Sequence, residues 1–247
     1  MSKVYFIGAG PGDVELITIK GQKILHSADV VIYTGSLINP LLLEGVKGDL
    51  HDSSKMTLEE IVNLMEQSIN RGKKVARLHT GDPTIFSAIG EQIRELKKRR
   101  IPYEIIPGVS SAFAAASIIG TELTEPEISQ TVIFTRIEGK TPVPSTEKLG
   151  ELSKHRATMV IFLSVGMIDR VKEELLKGYD ENTPFVVIYK GSWPEQKIVK
   201  GLLKELDKKV KEEGITKTAL IMVGEVFSSP ETRSKLYDPG FNHEYRK

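Results

Sequence analysis

The chain has 247 residues, more than one small domain needs and enough for two. Apolar residues make up 40% and charged residues 27%, with a net charge of +1, so the composition is that of a globular protein without an overall field for nucleic acid or membrane. The absence of cysteine excludes disulfides, thiolate metal sites and cysteine nucleophiles, and is compatible with a reducing compartment.

In chain order, residues 4–7 read as a buried strand that ends at once in a Gly/Pro turn, too short to be the apolar core of a signal peptide. No apolar run approaches the roughly 20 residues that span a bilayer, and a cytoplasmic protein without membrane attachment is expected. Residues 16–25 carry apolar positions at helical spacing, and 30–33 form a second β-branched run. Thr57 and Glu60 fit a capping box that opens a helix running to about residue 70. Residues 75–78 are the next strand. Asp82 followed by Pro83 reads as a cap and first position of a helix that ends in the basic run 97–100. A strand at 103–106 and a small-residue helix at 110–119 complete the first half. Strands alternating with helices imply a parallel sheet.

The polar stretch 122–127 contains Pro126, and the boundary is placed there: an N-terminal α/β domain at 1–122 and a C-terminal α/β domain at 123–247. In the second half, strands are expected at 131–135, 159–163, 185–189, 197–200 and 219–223, with helices near 165–176 and 202–212. Residues 189–200 are expected to turn back as a hairpin, which makes this sheet mixed. From Ser228 onward the sequence is polar and expected to be loosely held. The five histidines are scattered and none forms an H-x-x-x-H pair, so no metal site is expected.

Ligands of open α/β sheets bind beyond the carboxyl ends of the strands. Three loops satisfy that rule. Gly8–Ala9–Gly10–Pro11–Gly12–Asp13 follows the first strand, and its glycines allow close backbone approach or positive φ. As a dinucleotide fingerprint it fails: the sixth position is Asp13, Pro11 interrupts it, and no acidic residue closes the second strand. The simpler reading is a tight turn. The second loop, His79 to Phe86, includes Thr80, Gly81, Asp82 and Ile85; Asp82 also reads as a helix cap. The third, Pro107 to Ser111, also reads as a turn with a serine cap. Two loops leave strand ends in the second half: Thr135 to Pro142, whose charges also fit a surface ion pair, and Tyr189 to Pro194, which holds the only tryptophan, by default a packing residue.

Together these motifs resemble the tetrapyrrole (uroporphyrin-III C-methyltransferase-like) methyltransferases. G-x-G-P-G-D, T-G-D-P-x-x-F and P-G-V-S-S look like that family's signature loops, and the run from Thr218 to Glu225 is similar to its last core strand. S-x-M-T-L-E-E-I at 54–61, E-x-S-Q-T-V-I-x-T-R-x-E-G-x-T-P-V-P at 127–144 and W-P-x-x-K-I-V-x-G at 193–201 look most like the branch that methylates precorrin-4 or cobalt-precorrin-4 at ring carbon 11, in cobalamin biosynthesis. Lys140 stands where members usually carry arginine; the charge is kept and the planar fork lost.

The resemblance implies two α/β domains with a cofactor cleft between them, the tetrapyrrole methylase fold, and S-adenosylmethionine as methyl donor. It implies cofactor contacts at Pro11, Thr80, Gly81, Asp82, Ile85, Ser110, Ser111, Leu163 and Gly191. Substrate contacts are expected at Asp13, Arg136 and Lys140. It also implies a homodimer and a tetrapyrrole as the partner molecule, while the near-neutral net charge gives no reason to expect nucleic acid. Because the donor is already activated, alignment and water exclusion are the main tasks, and no catalytic residue is singled out. The rival readings are methylation of another precorrin, uroporphyrinogen, a protein residue or RNA by the same fold, a nucleotide-dependent oxidoreductase, and a non-catalytic ligand-binding module.

Overall fold

Short β-branched runs between glycine, proline and helix caps produce two five-stranded sheets, each with its own core. The computed structural model describes residues 2–228 and the single positions 234, 240 and 241. The polar stretch from Ser228 therefore lies almost entirely outside the described residues. Contacts divide the chain into two units. The first holds the described residues up to Ala114 together with 191–194; the second holds 115–190 and the described residues from 195 onward.

In the first unit, β1 (Val4–Gly8), β2 (Val30–Tyr33), β3 (Asp49–Asp52), β4 (Val75–His79) and β5 (Tyr103–Ile106) form one sheet in the order β3-β2-β4-β1-β5. Every pairing is parallel, as the alternation predicts. The register sets Phe6 opposite Arg77 and Gly8 opposite His79. Helices α1 (Ile19–His26), α2 (Leu58–Asn70), α3 (Ile89–Lys98) and α4 (Ser111–Ile119) follow strands, and the division between the units falls within α4. One sheet face packs Phe6 and Ile32 against Ile61, Val62 and Met65 of α2 and Leu96 of α3. The other packs Ile7, Val31 and Leu78 against Leu25 of α1 and the single-turn segments that carry Ile38 and Leu42. Coverage of both faces is what a parallel sheet needs. The expected capping box is present: Glu60 N donates to Thr57 Oγ1 at 3.2 Å and Thr57 N to Glu60 Oε2 at 2.7 Å.

Two expectations are corrected. The helix after the β4 loop begins at Ile89, not at Asp82–Pro83. Its N-cap is Ala88, in left-handed backbone at φ 51° and without a side-chain cap bond, and Phe86 also has φ 51°. Residues 82–88 are thus a non-helical loop. Strand β3 falls where no strand was expected, because its sequence, DLHD, is polar and largely exposed.

In the second unit, β6 (Val132–Arg136), β7 (Thr158–Phe162), β8 (Pro184–Tyr189), β9 (Lys197–Leu202) and β10 (Ala219–Val223) form a sheet in the order β6-β7-β10-β8-β9. β6 and β7 are parallel, the other pairs antiparallel, and β8–β9 is the expected hairpin. α5 (Leu149–Ser153), α6 (Ile168–Leu175) and α7 (Leu206–Glu212) bring Leu149, Val171, Leu175, Leu206 and Val210 onto Met159, Ile161, Val187 and Ile221 of the sheet.

Candidate functional site

The carboxyl ends of β1, β4 and β5 meet through their glycines. Ala9 N donates to His79 O at 2.8 Å, extending the parallel pairing of β1 and β4. The two loops then form a small antiparallel bridge, with Gly81 N donating to Gly10 O at 2.7 Å and Gly10 N to Gly81 O at 3.3 Å. Gly10 and Gly81 have φ of 75° and 65°, which glycine adopts without strain. A Cβ on Gly108 would lie 2.3 Å from Gly81 O, and one on Gly8 2.5 Å from Gly108 Cα. Side chains are therefore sterically excluded where the three loops cross. At Gly81 itself the nearest atom to an added Cβ is Ser111 N at 3.7 Å, so this backbone has room beside it.

Asp82 binds the loops together. Its Oδ1 accepts from Thr84 N at 2.8 Å and Thr84 Oγ1 at 2.5 Å, and its Oδ2 accepts from Gly108 N at 2.9 Å. Burial pushes this carboxyl up, but the bonds from the Thr84 hydroxyl, Gly108 N–H and Thr84 N–H outweigh it and hold Asp82 below the usual carboxylate range. The expected helix-cap role is replaced by this clasp. Ser110 is the residue that caps, with its Oγ accepting from Ala112 N at 3.3 Å.

The segment 191–194 docks on the first loop. Trp193 Nε1 donates to Pro11 O at 2.8 Å, and Asp13 N donates to Ser192 Oγ at 3.0 Å. A Cβ on Gly12 would fall 2.1 Å from the indole ring. Lys190 and Ser192 take positive φ, 44° and 68°, to turn the chain there. Trp193 is thus a clamp on the glycine loop. Asp13 also accepts from Glu15 N at 2.9 Å.

Of the expected cofactor contacts, Pro11, Thr80, Gly81, Asp82, Ile85, Ser110, Ser111 and Gly191 all lie in the first unit. The glycine bridge and the Asp82 clasp join the loops that carry Pro11, Gly81 and Ser110, while Thr80 is exposed and Ile85 half-buried. Leu163 lies in the second unit, at the end of β7. It is 71% exposed and has φ 54°, a strained conformation for an apolar residue pointing to solvent. Arg136 ends β6, and its guanidinium turns on its own loop. Nη1 donates to Ile137 O at 3.3 Å and Thr141 O at 3.2 Å, and Nη2 to Pro142 O at 2.9 Å. It does not pair with Glu138, which lies 3.8 Å from Arg170. Lys140 is exposed.

Sequence reasoning did not single out Arg77 and His79. Both are buried, at 5% and 6% exposure, on the β4 face that packs toward α2 and α3. Arg77 Nε donates to Gln92 Oε1 at 3.3 Å, and Nη1 donates to Ser53 Oγ at 2.9 Å and Thr34 Oγ1 at 3.4 Å. His79 sits 5.9 Å from the Phe6 ring, centroid to centroid, and its Nε2 is fully buried without a partner among the described residues. Burial, then the Arg77 charge, pushes this imidazole down to about 3, so it is neutral. A signal existed in the sequence: an arginine inside an otherwise apolar strand.

The family model described as Tetrapyrrole (Corrin/Porphyrin) Methylases matches residues 3–207. The chain is 58% identical to a cobalt-precorrin-4 C(11)-methyltransferase of Methanocaldococcus jannaschii, over 99% of this chain and 96% of that protein. It superposes with a TM-score of 0.89 on the X-ray structure of a cobalamin biosynthetic enzyme, cobalt precorrin-4 methyltransferase, at 47% identity over 91% of this chain and 95% of that one. A uroporphyrin-III C-methyltransferase from Thermus thermophilus, complexed with S-adenosyl homocysteine, superposes with a TM-score of 0.77 at 27% identity, over 94% of this chain and 96% of that one.

Proposed function

This chain belongs to the tetrapyrrole (corrin/porphyrin) methylase family, and we propose that it transfers a methyl group from S-adenosylmethionine to ring carbon 11 of cobalt-precorrin-4. The observation that carries the reading is the near full-length identity of 58% to a relative bearing that activity in its name. Cobalamin biosynthesis is the setting that reading implies.

The residues present fit the cofactor. Gly81 offers backbone with open space beside it, and the crossing glycines leave no side chain in the way. When bound, S-adenosylmethionine supplies a methyl group already activated on a sulfonium. The chain's own tasks are to align and to exclude water. The Gly10–Gly81 bridge, the Asp82 clasp and the Trp193 clamp hold the β1, β4 and β5 loops in one arrangement before any ligand arrives. Pro11, Thr80, Gly81, Asp82, Ile85, Ser110, Ser111, Leu163 and Gly191 are proposed as cofactor contacts, and Asp13, Arg136 and Lys140 as substrate contacts. Arg136 spends three donor contacts on its own loop, which leaves Nε and one Nη2 proton for a substrate carboxylate.

Turnover with cobalt-precorrin-4 and with precorrin-4, the methylated carbon mapped by NMR, tests the reading. Calorimetric binding of S-adenosylhomocysteine but not NAD is expected beside it. Methylation at another ring position, or NAD binding, would replace it. No described helix is long and apolar enough to cross a membrane. Homodimeric assembly is proposed from the family resemblance, indifference to nucleic acid from the near-neutral net charge, and cytoplasmic placement from a composition compatible with a reducing compartment. Light scattering should read twice the chain mass.

A further inference from the structure

Arg77 carries a buried positive charge with no carboxylate of the described residues set against it. Among the described residues its acceptors are a neutral amide and two hydroxyls, and these engage Nε and Nη1 only. No described group accepts from Nη2, which is also not sealed from solvent. Burial is the one influence that acts on the guanidinium, pushing it down to about 10, and it stays charged. A buried, unpaired charge is costly. Side chains that only packed, or only tied the loops, would hold this place with less penalty as methionine or glutamine. Two residues along the same strand face, His79 presents a second orphan, its buried Nε2. An imidazole is neutral or positive, so it supplies no negative charge to answer Arg77.

The position indicates what answers it. In the sheet order β3-β2-β4-β1-β5, the candidate cofactor residues of the first unit, Gly191 apart, ride on the β1, β4 and β5 loops. Arg77 reaches the other way, to Thr34 just after β2 and Ser53 just after β3. Its guanidinium therefore lies by the carboxyl ends of β2 and β3, on the side away from the glycine bridge. We propose that Nη2 of Arg77 receives a carboxylate of the tetrapyrrole substrate, an acetate or propionate arm, and so helps fix the orientation of the ring. This rests on the proposed function and names a recognition residue for it. The methionyl carboxylate of the cofactor has the same chemistry, and the S-adenosylhomocysteine titration below separates the two.

Arg77→Gln and Arg77→Met test this with three measurements: calorimetry with S-adenosylhomocysteine, fluorescence titration with uroporphyrin III, a porphyrin with an acetate and a propionate on every ring, and thermal melting without ligand. Loss of one charged hydrogen bond corresponds to about a 10- to 150-fold weaker porphyrin affinity. S-adenosylhomocysteine affinity should stay within about twofold, and ligand-free Arg77→Met should melt no lower than the unmodified chain. A melting temperature that holds while porphyrin binding falls is something a purely structural arginine would not give. Unchanged porphyrin affinity in folded variants overturns the proposal, as does failure of both variants to fold. Lost S-adenosylhomocysteine affinity with porphyrin binding retained moves the carboxylate to the cofactor and overturns it too. If the unmodified chain binds neither ligand, the proposed function falls first and takes this inference with it.

Discussion

At the scale of single residues, the glycines of the three loops do different jobs. Gly108 is a steric requirement, since a methyl group there would meet Gly81 O at 2.3 Å. Gly108→Ala should cost several kcal/mol of unfolding free energy, on the order of 2–4, through forced backbone shifts. Gly81 is a conformational requirement and a proposed cofactor contact. A Cβ there meets nothing closer than 3.7 Å, so Gly81→Val should cost only about 1–2 kcal/mol for its left-handed backbone. Its main effect should be at least a tenfold loss of S-adenosylhomocysteine affinity, because the branched side chain fills the space beside the loop. Denaturant melts and calorimetry on both variants separate the two roles. Equal affinity in a folded Gly81→Val variant would place the cofactor elsewhere.

His79 gives a pH-dependent prediction at the same scale. Its folded value is about 3, against roughly 6.5 when unfolded. Below pH 6.5 the unfolded chain takes up a proton that the folded chain refuses, so stability falls with falling pH. Between pH 7 and pH 5 this amounts to about 2 kcal/mol. His79→Leu should lose that much less over the interval, measured by urea denaturation at both values. Parallel curves for the two proteins would mean that the imidazole titrates normally in the folded state.

Among the elements, the legible ones are those whose sequence and surroundings agree. β10 is apolar throughout, and the structure places it at Ala219–Val223 as expected. α2 declares itself through its capping box and the buried positions Ile61, Val62 and Met65. β3 was invisible because an exposed edge strand needs no apolar pattern, and DLHD has none. The start of α3 was misread because Asp-Pro is a good helix opening by local rules, whereas the tie from Asp82 to Gly108, far along the chain, claims the aspartate first. The order of the strands and the antiparallel placement of β10 between β7 and β8 are tertiary outcomes that no local run encodes. In the site, the loops were legible but their mutual bonds were not, and Trp193 shows the difference. Its hydrogen bond to Pro11 O spans 182 positions of sequence. Trp193→Phe keeps the aromatic packing on Gly12 and removes that bond, normally worth about 0.5–1.5 kcal/mol. The expected result is a threefold to tenfold weaker S-adenosylhomocysteine affinity, with unfolding free energy lowered by no more than about 1.5 kcal/mol. Unchanged binding would mean that the clamp does not shape the cofactor loop.

For the whole molecule, 34 basic and 33 acidic side chains leave almost no net charge. Many are neutralised locally, as in Lys172–Asp207 at 2.6 Å, Lys197–Glu213 at 3.1 Å and Lys209–Glu205 at 3.1 Å. A tetrapyrrole rimmed with carboxylates is therefore not drawn in by a long-range field, which in a protein of large positive charge could raise association by orders of magnitude. It has to be met by a few groups at short range, the role proposed above for the half-buried Arg136 and the buried Arg77. Salt distinguishes the two modes. Exposed charges are screened beyond a Debye length of about 10 Å at 0.1 M and about 3 Å at 1 M, whereas partly buried pairs are screened much less. Raising ionic strength from about 0.05 to 0.5 M should lower kcat/KM for the tetrapyrrole by less than about tenfold and leave S-adenosylhomocysteine affinity nearly constant. Steady-state kinetics over a salt series reads this directly. A loss of a hundredfold or more would mean that a broad basic surface steers the substrate, and the few local contacts would then have to be replaced by an extended one.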